Sequence, residues 1–264
     1  MSKFKAVVFD WAGTMIDFGS FAPMGVFVEA FKRFGINATI AEARAPMGAP
    51  KRAHIKAMLM APRLSAEWAR AHGAAPTEAD IDRVYEVFVP MNEEVVADYA
   101  TLVPGAAEMV ADLRARGLRI GSTTGYTRSI MERVFPLAAA QGYAPDNCVC
   151  ADDLPEGRPG PLQMYQTFID LQVYPPNAVI KVDDTEPGIA EGVAAGCVTV
   201  GVALSGNHVG LTPEELAALS APEVAALRTR ATDTLRTAGA YHVIDTVADL
   251  PALLDTLEQD PYHA

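Results

Sequence analysis

Apolar positions along this chain fall into two regimes. Phe4, Ala6, Val7, Val8 and Phe9 form a short continuous run ending in Asp10, the pattern of a strand buried on both faces. From about residue 20 to 99 the spacing is helical instead, with Met24, Val26, Phe27, Ala30 and Phe31 on neighbouring faces of a helix over 22–34 that Gly35 stops. Pro46-Met47-Gly48-Ala49-Pro50 is a sharp loop, followed by predicted helices over 51–59, 65–73 and 78–98. After Pro104-Gly105, strands and helices alternate. Helices are predicted over 106–116, 128–139, 161–171 and 186–195, and strands over 118–122, 148–151, 178–182 and 198–202. A Gly-containing loop over 205–211, two helical stretches, a strand over 241–244 and a helix over 248–258 follow. That alternation predicts an α/β fold, a doubly wound parallel sheet core with helices on both faces. The all-helical stretch reads as a cap domain inserted after the first strand: residues 1–19 and 100–264 form the core and 20–99 the cap. The crevice between them is the expected site.

Composition narrows the partners. The 264 residues are 50% hydrophobic, ample for a buried core, and the net charge is -12. Such acidity disfavours nucleic acid and anionic membranes as partners, and an anionic small substrate then needs local cations or a metal ion. Cys148, Cys150 and Cys197 are too few for a disulfide framework and lack zinc-type spacing. Cys148 and Cys150 read as two thiols on one strand face. The chain shows neither a signal-peptide pattern nor a membrane-spanning apolar run, so a soluble, cytoplasmic protein is expected.

In an open parallel sheet, ligands bind beyond the carboxyl ends of the strands. Four such ends carry polar residues: Asp10, Ser122-Thr123-Thr124, Asp152-Asp153 and Asp183-Asp184-Thr185. Asp10 could be a nucleophile, a metal ligand or a helix cap. Asp10 with Asp184 could hold magnesium, which prefers hard oxygen ligands; alternatively, Asp183 and Asp184 cap the next helix. Thr124 and nearby amides could bind phosphoryl oxygens, although taken alone Thr124 reads as an ordinary N-cap. Arg158 could neutralise a phosphoryl group and orient the nucleophile, or be an exposed loop arginine. Lys51, at a helix start facing the crevice, has the setting that favours a neutral amine able to form a Schiff base; a solvated surface lysine is the commoner case.

Asp10, Thr124, Arg158 and Asp184 together resemble the four ordered motifs of the haloacid dehalogenase superfamily of aspartate-nucleophile hydrolases. Superfamily phosphatases usually carry a second Asp two residues after the nucleophile, as general acid to a departing alkoxide. Here that residue is Ala12, which suits a carbon leaving group stabilised as an enamine. With Asp10-Trp11-Ala12-Gly13-Thr14, Met47-Gly48, Lys51, His54, the run from Gly121 to Thr127, Gly157-Arg158-Pro159 and the run from Lys181 to Thr185, the chain resembles the phosphonoacetaldehyde hydrolase (phosphonatase) family over nearly its whole length.

The resemblance implies hydrolysis of phosphonoacetaldehyde to acetaldehyde and phosphate, a step of 2-aminoethylphosphonate degradation. It implies one magnesium ion per subunit and a homodimer joined through cap helices such as 21–34. It assigns the imine to Lys51, attack on phosphorus to Asp10, and the metal to Asp10, the Ala12 carbonyl and Asp184. Thr124, Gly125 and Arg158 would contact the phosphoryl group, and Met47, His54 and Tyr126 would line the aldehyde end, with His54 or a water shuttling protons. Some relatives carry an acidic residue four positions beyond the metal-binding Asp; Gly188 stands there, and Asp183 would compensate. A magnesium-dependent phosphate monoester phosphatase or phosphomutase is the alternative enzyme, disfavoured by Ala12. A haloacid dehalogenase is disfavoured by the second set of aspartates, and a phosphoacceptor receiver domain by the helical insert and Lys51.

Overall fold

The computed structural model describes residues 3–259. Five parallel strands, β1 (Ala6–Phe9), β2 (Arg119–Ser122), β3 (Val179–Asp183), β4 (Val198–Val202) and β5 (His242–Ile244), form one sheet in the order β2-β1-β3-β4-β5. Because successive side chains point to opposite faces, the apolar run of β1 serves two layers. Val7 and Phe9 join Ile120, Val182 and Val200 against α6 (Ala106–Ala115), α7 (Arg128–Ala140) and α12 (Leu250–Gln259). Ala6 and Val8 join Met164 and Leu171 of α8 (Leu162–Leu171) and Ala195 of α9 (Glu186–Ala195).

Register places the chemistry. Phe9 lies opposite both Ser122 and Val182, so Asp10, Thr123 and Asp183 emerge at one sheet edge.

Between β1 and β2 come α1 (Ala22–Lys32), α2 (Ile40–Arg44), α3 (Lys51–Met60), α4 (Pro62–His72), α5 (Glu78–Val95) and a 3-10 turn over Val96–Tyr99. They enclose their own apolar cluster, including Phe27, Phe31, Ile55, Leu64, Trp68, Ile81 and Phe88. The two linkers to the sheet run side by side: Ile16 bridges Leu102, Asp17 N donates to Thr101 O, and Val103 N donates to Met15 O. The Asp17 carboxylate then accepts from Phe21 N (3.0 Å) and Ala22 N (2.8 Å), tying the linker to the start of α1. The last helices before β5 are α10 (Pro213–Ala217) and α11 (Ala221–Thr237).

Three local expectations are corrected. The strand over 148–151 is a single bridge, Val149 to Thr123. Asp153 turns the chain away at once by accepting from Cys150 N (2.7 Å), so Asp152 and Asp153 face solvent instead of joining the strand-end carboxylates. Cys150 is therefore buried and Cys148 half-buried off any regular strand, and all three cysteines are free. Helix α4 starts at Pro62, not 65, with proline tolerated in its first turn. Helix α2 has no predicted counterpart, because five residues show no apolar repeat; its legible trace is the Thr39/Glu42 capping box.

Candidate active site

Asp10 leaves β1 into a tight turn in which Trp11 O accepts from the amides of Thr14, Met15 and Ile16. Gly13 supplies the positive φ that turn requires (83°). The Trp11 ring anchors it, packed at 4.8 Å from Tyr143 and 5.5 Å from Phe135 between ring centroids.

Asp10, Asp183 and Asp184 offer carboxylate oxygens that all lie within 4.8 Å of one another. Thr14 Oγ1 donates to Asp184 Oδ1 (2.9 Å) and Asn207 N to Asp184 Oδ2 (2.8 Å). Asp183 accepts from Thr185 N and Oγ1, so the helix cap of α9 is Thr185 rather than either aspartate. Burial, then the charge of Asp183, pushes Asp10 up to about 6. Burial, then Asp10 and Asp183, pushes Asp184 well above the usual carboxylate range. Burial also opposes the Asp183 charge, but Arg158 and Lys181 outweigh it and hold that group low. Like charges so close repel unless a cation stands among them, and an all-oxygen donor set of this kind fits a hard divalent ion. Gly188 is part of this arrangement, because a Cβ there would overlap the Asp183 carboxylate.

Arg158 is buried, not a loop arginine in solvent. Its Nη1 reaches Asp10 Oδ1 (2.7 Å), its Nη2 donates to Thr123 O (2.7 Å), and its Nε donates to Glu191 Oε2 (3.1 Å). Lys181 Nζ lies 3.1 Å from both Glu191 and Asp183 and donates to Thr123 Oγ1 (2.7 Å). Thr123, Lys181 and Glu191 thus fix the guanidinium that faces Asp10, a role that sequence reasoning missed. The available signal was a lysine inside the apolar strand and a glutamate inside the small-residue helix 186–195, charges that stay buried only when paired.

Lys51 opens α3 and is 4% exposed. Its Nζ stands 4.7 Å from the Tyr126 ring centroid and 5.8 Å from that of Phe27. Burial pushes the amine down to about 8, opposed by Asp10 and assisted by Arg158.

One small pocket brings Asp10, Ala12, Met47, Lys51, Thr124, Gly125, Tyr126 and Arg158 together, with Gly48 and Thr185 completing the wall. Asp184 lies beside it through the carboxylate cluster. Thr124 is no N-cap: its Oγ1 accepts from Tyr126 N, and Thr127 precedes α7. His54 is not in the wall. Its ring stacks on Phe27 (3.9 Å between centroids) in the cap interior, and Nε2 meets Ala43 O at 2.8 Å. Burial and the Lys51 charge hold it neutral.

Closure of the cap over the sheet edge depends on Gly48. It has φ +85°, and a Cβ there would collide with Thr185 Oγ1, which Asp183 holds at 2.7 Å. Gly48→Ala is expected to keep the fold and to lower kcat/KM by about 10²-fold, the scale of a 1 Å misplacement. Steady-state kinetics beside a thermal melt checks this; unchanged kinetics would show that the loop yields.

A family model for haloacid dehalogenase-like hydrolases matches residues 4–196, from β1 to the end of α9. A phosphonoacetaldehyde hydrolase of Paraburkholderia phytofirmans is 52% identical over 258 residues, 98% of this chain and 97% of that one. One of Paraburkholderia xenovorans is 50% identical, with the same coverage. The crystal structure of a phosphonoacetaldehyde hydrolase-like protein from Oleispira antarctica superposes with a TM-score of 0.95 at 44% identity, over 97% of this chain and 93% of that one. The chain belongs to the phosphonoacetaldehyde hydrolase family. The haloacid dehalogenase-like match takes in every residue of the cavity wall, cap residues included. Among the described residues, no helix of this family member is long and apolar enough to cross a membrane.

Proposed function

We propose that this chain hydrolyses the C–P bond of phosphonoacetaldehyde to acetaldehyde and phosphate, as a step of phosphonate degradation. The observation that carries the reading is one pocket that brings together a buried lysine amine and a strand-end carboxylate, with Ala12 where an acid would serve an alkoxide. At pH 7 an amine with a pKa of about 8 is about one-tenth neutral, enough to add to an aldehyde. Addition and loss of water leave an imine on Lys51, and its protonated form is an electron sink. Asp10, already ionised at pH 7, then attacks phosphorus. The C–P bonding pair passes into the enamine and the phosphoryl group to Asp10. Protonation at carbon and hydrolysis of the imine release acetaldehyde, and water cleaves the aspartyl phosphate. Arg158 directs the Asp10 lone pair and meets the phosphoryl charge, with Thr124 and Gly125 beside it. Met47 and Tyr126 enclose the aldehyde end. His54, neutral and in the cap interior, supports Lys51 by keeping a second charge away.

One magnesium ion per subunit, held by Asp10, the Ala12 carbonyl and Asp184, would supply charge compensation for the transferring phosphoryl group. We also infer a cytoplasmic homodimer with core 1–19 and 100–264 and cap 20–99, joined through the helix near 21–34. An open groove between α1 and α5, floored by Val26, Met91 and Val95, supports that contact surface.

The direct test is acetaldehyde release from phosphonoacetaldehyde with magnesium and with chelator. Magnesium-dependent release with equal phosphate is expected. No acetaldehyde, alongside turnover of a phosphate monoester, would replace this reading with a phosphatase.

A further inference from the structure

We propose that Arg44 is a positioning residue for the cation site: it clasps the closed cap onto Asn207, and Asn207 in turn holds the Asp184 carboxylate. The inference rests on the reading of Asp184 as a cation ligand.

Arg44 ends α2, the short helix that only the structure revealed. Its guanidinium crosses from the cap to two parts of the core. Nη1 donates to Gly19 O (2.8 Å) in the linker, and to Asn207 O and Oδ1 (both 3.2 Å) in the loop after β4. Asn207 Nδ2 returns a bond to Arg44 O at 3.4 Å. The guanidinium also stands over the Phe21 ring, 5.2 Å from its centroid, and a Cβ at Gly210 would press on it.

Three features separate this contact from ordinary cap packing. First, among the described residues Arg44 forms no ion pair; Asp17 and Asp184 act on it only through space. A partly buried guanidinium satisfied by amide oxygens is held by geometry rather than by a counter-charge. Second, Asn207 spends its side chain on Arg44 and its backbone N–H on Asp184 Oδ2 (2.8 Å). The loop cannot leave one without disturbing the other. Third, Arg44 O accepts from Met47 N (3.0 Å), so the same residue starts the turn that delivers Met47 and Gly48 to the cavity wall. Seating this turn and aiming the Asp184 lone pair are therefore one event. By linkage, cap closure tightens the cation, and the cation favours closure to the same extent.

The test is a double-mutant cycle on Mg2+ affinity, measured by titration calorimetry on the full-length chain without substrate. Arg44→Ala is expected to weaken Mg2+ about tenfold, the scale of one charge-assisted hydrogen bond, and Asn207→Ala by a similar factor. The double variant should be about as weak as either single one, because both break the same clasp. Arg44→Lys, which keeps the charge but carries its donors on a shorter side chain than the Nη1 that makes all three bonds, should fall between Arg44→Ala and the parent. Thermal melts without Mg2+ establish that each variant is folded, and Arg44→Lys carries the test if Arg44→Ala is not. Parent-like Mg2+ affinity in Arg44→Ala or Arg44→Lys, or losses that multiply in the double variant, would overturn the clasp. A parent chain that takes up no Mg2+ would instead overturn the cation reading on which it stands.

Discussion

Asp10→Asn abolishes turnover, with an expected loss of at least about 10⁴-fold, the scale seen when one member of a catalytic unit is removed. The amide has the shape of the carboxylate and fits the same turn, so the cavity stays built. It has no anionic lone pair to attack phosphorus, and although its Oδ1 can still accept from Arg158 Nη1, the charge of the pair held at 2.7 Å is lost. It also lowers the charge of the three-carboxylate cluster. Imine formation at Lys51 needs none of this. Borohydride with substrate should therefore still label Asp10→Asn while phosphate release is lost, which separates the two half-reactions in one variant. Phosphate release within tenfold of the parent would remove Asp10 as nucleophile.

Lys51→Ala is expected to be the mirror case, with C–P cleavage lost by about 10³-fold or more and no borohydride label. Intact-mass measurement after reduction reads the label directly, and label persisting in Lys51→Ala would remove the Schiff base from this residue. The pH profile gives an independent check. Burial lowers the Lys51 pKa to about 8, so the amine gains its reactive neutral form as pH rises towards that value. Asp10, raised to about 6 by burial and Asp183, becomes an anion over a lower range. Both changes act in one direction: kcat/KM should climb from pH 5 and level off above about 8. A rate that falls between pH 6 and 8 would contradict a neutral-amine mechanism. Lys51→Arg should not rescue the rate, since a guanidinium stays protonated throughout.

Much of this site is legible in linear order because its chemistry sits where strands end. A strand shows itself as a local apolar run, and in a parallel sheet its carboxyl end faces the crevice whatever the remaining packing does. Asp10, Thr124 and Asp184 follow from that rule, and helical spacing between strands marks the cap that brings Lys51. The register of β1 with β2 and β3 then carried those residues to one edge without further information.

What lay outside the sequence is whatever depends on contacts between distant segments. Whether Arg158 is a surface charge or a buried partner of Asp10 turns on Glu191, 33 residues away, and on Lys181 in the next strand. No periodicity encodes that pairing. The segment 148–151 has strand composition, but Asp153 bends it off after one bridge. His54 shares a helix with Lys51, yet the Phe27 ring draws it into the cap interior. Arg44 and Asn207 are 163 positions apart and belong to no common motif. Local order can state which side chains are available at a strand end, because backbone geometry repeats; it cannot state which distant group satisfies a buried charge, because that is decided only when the layers close.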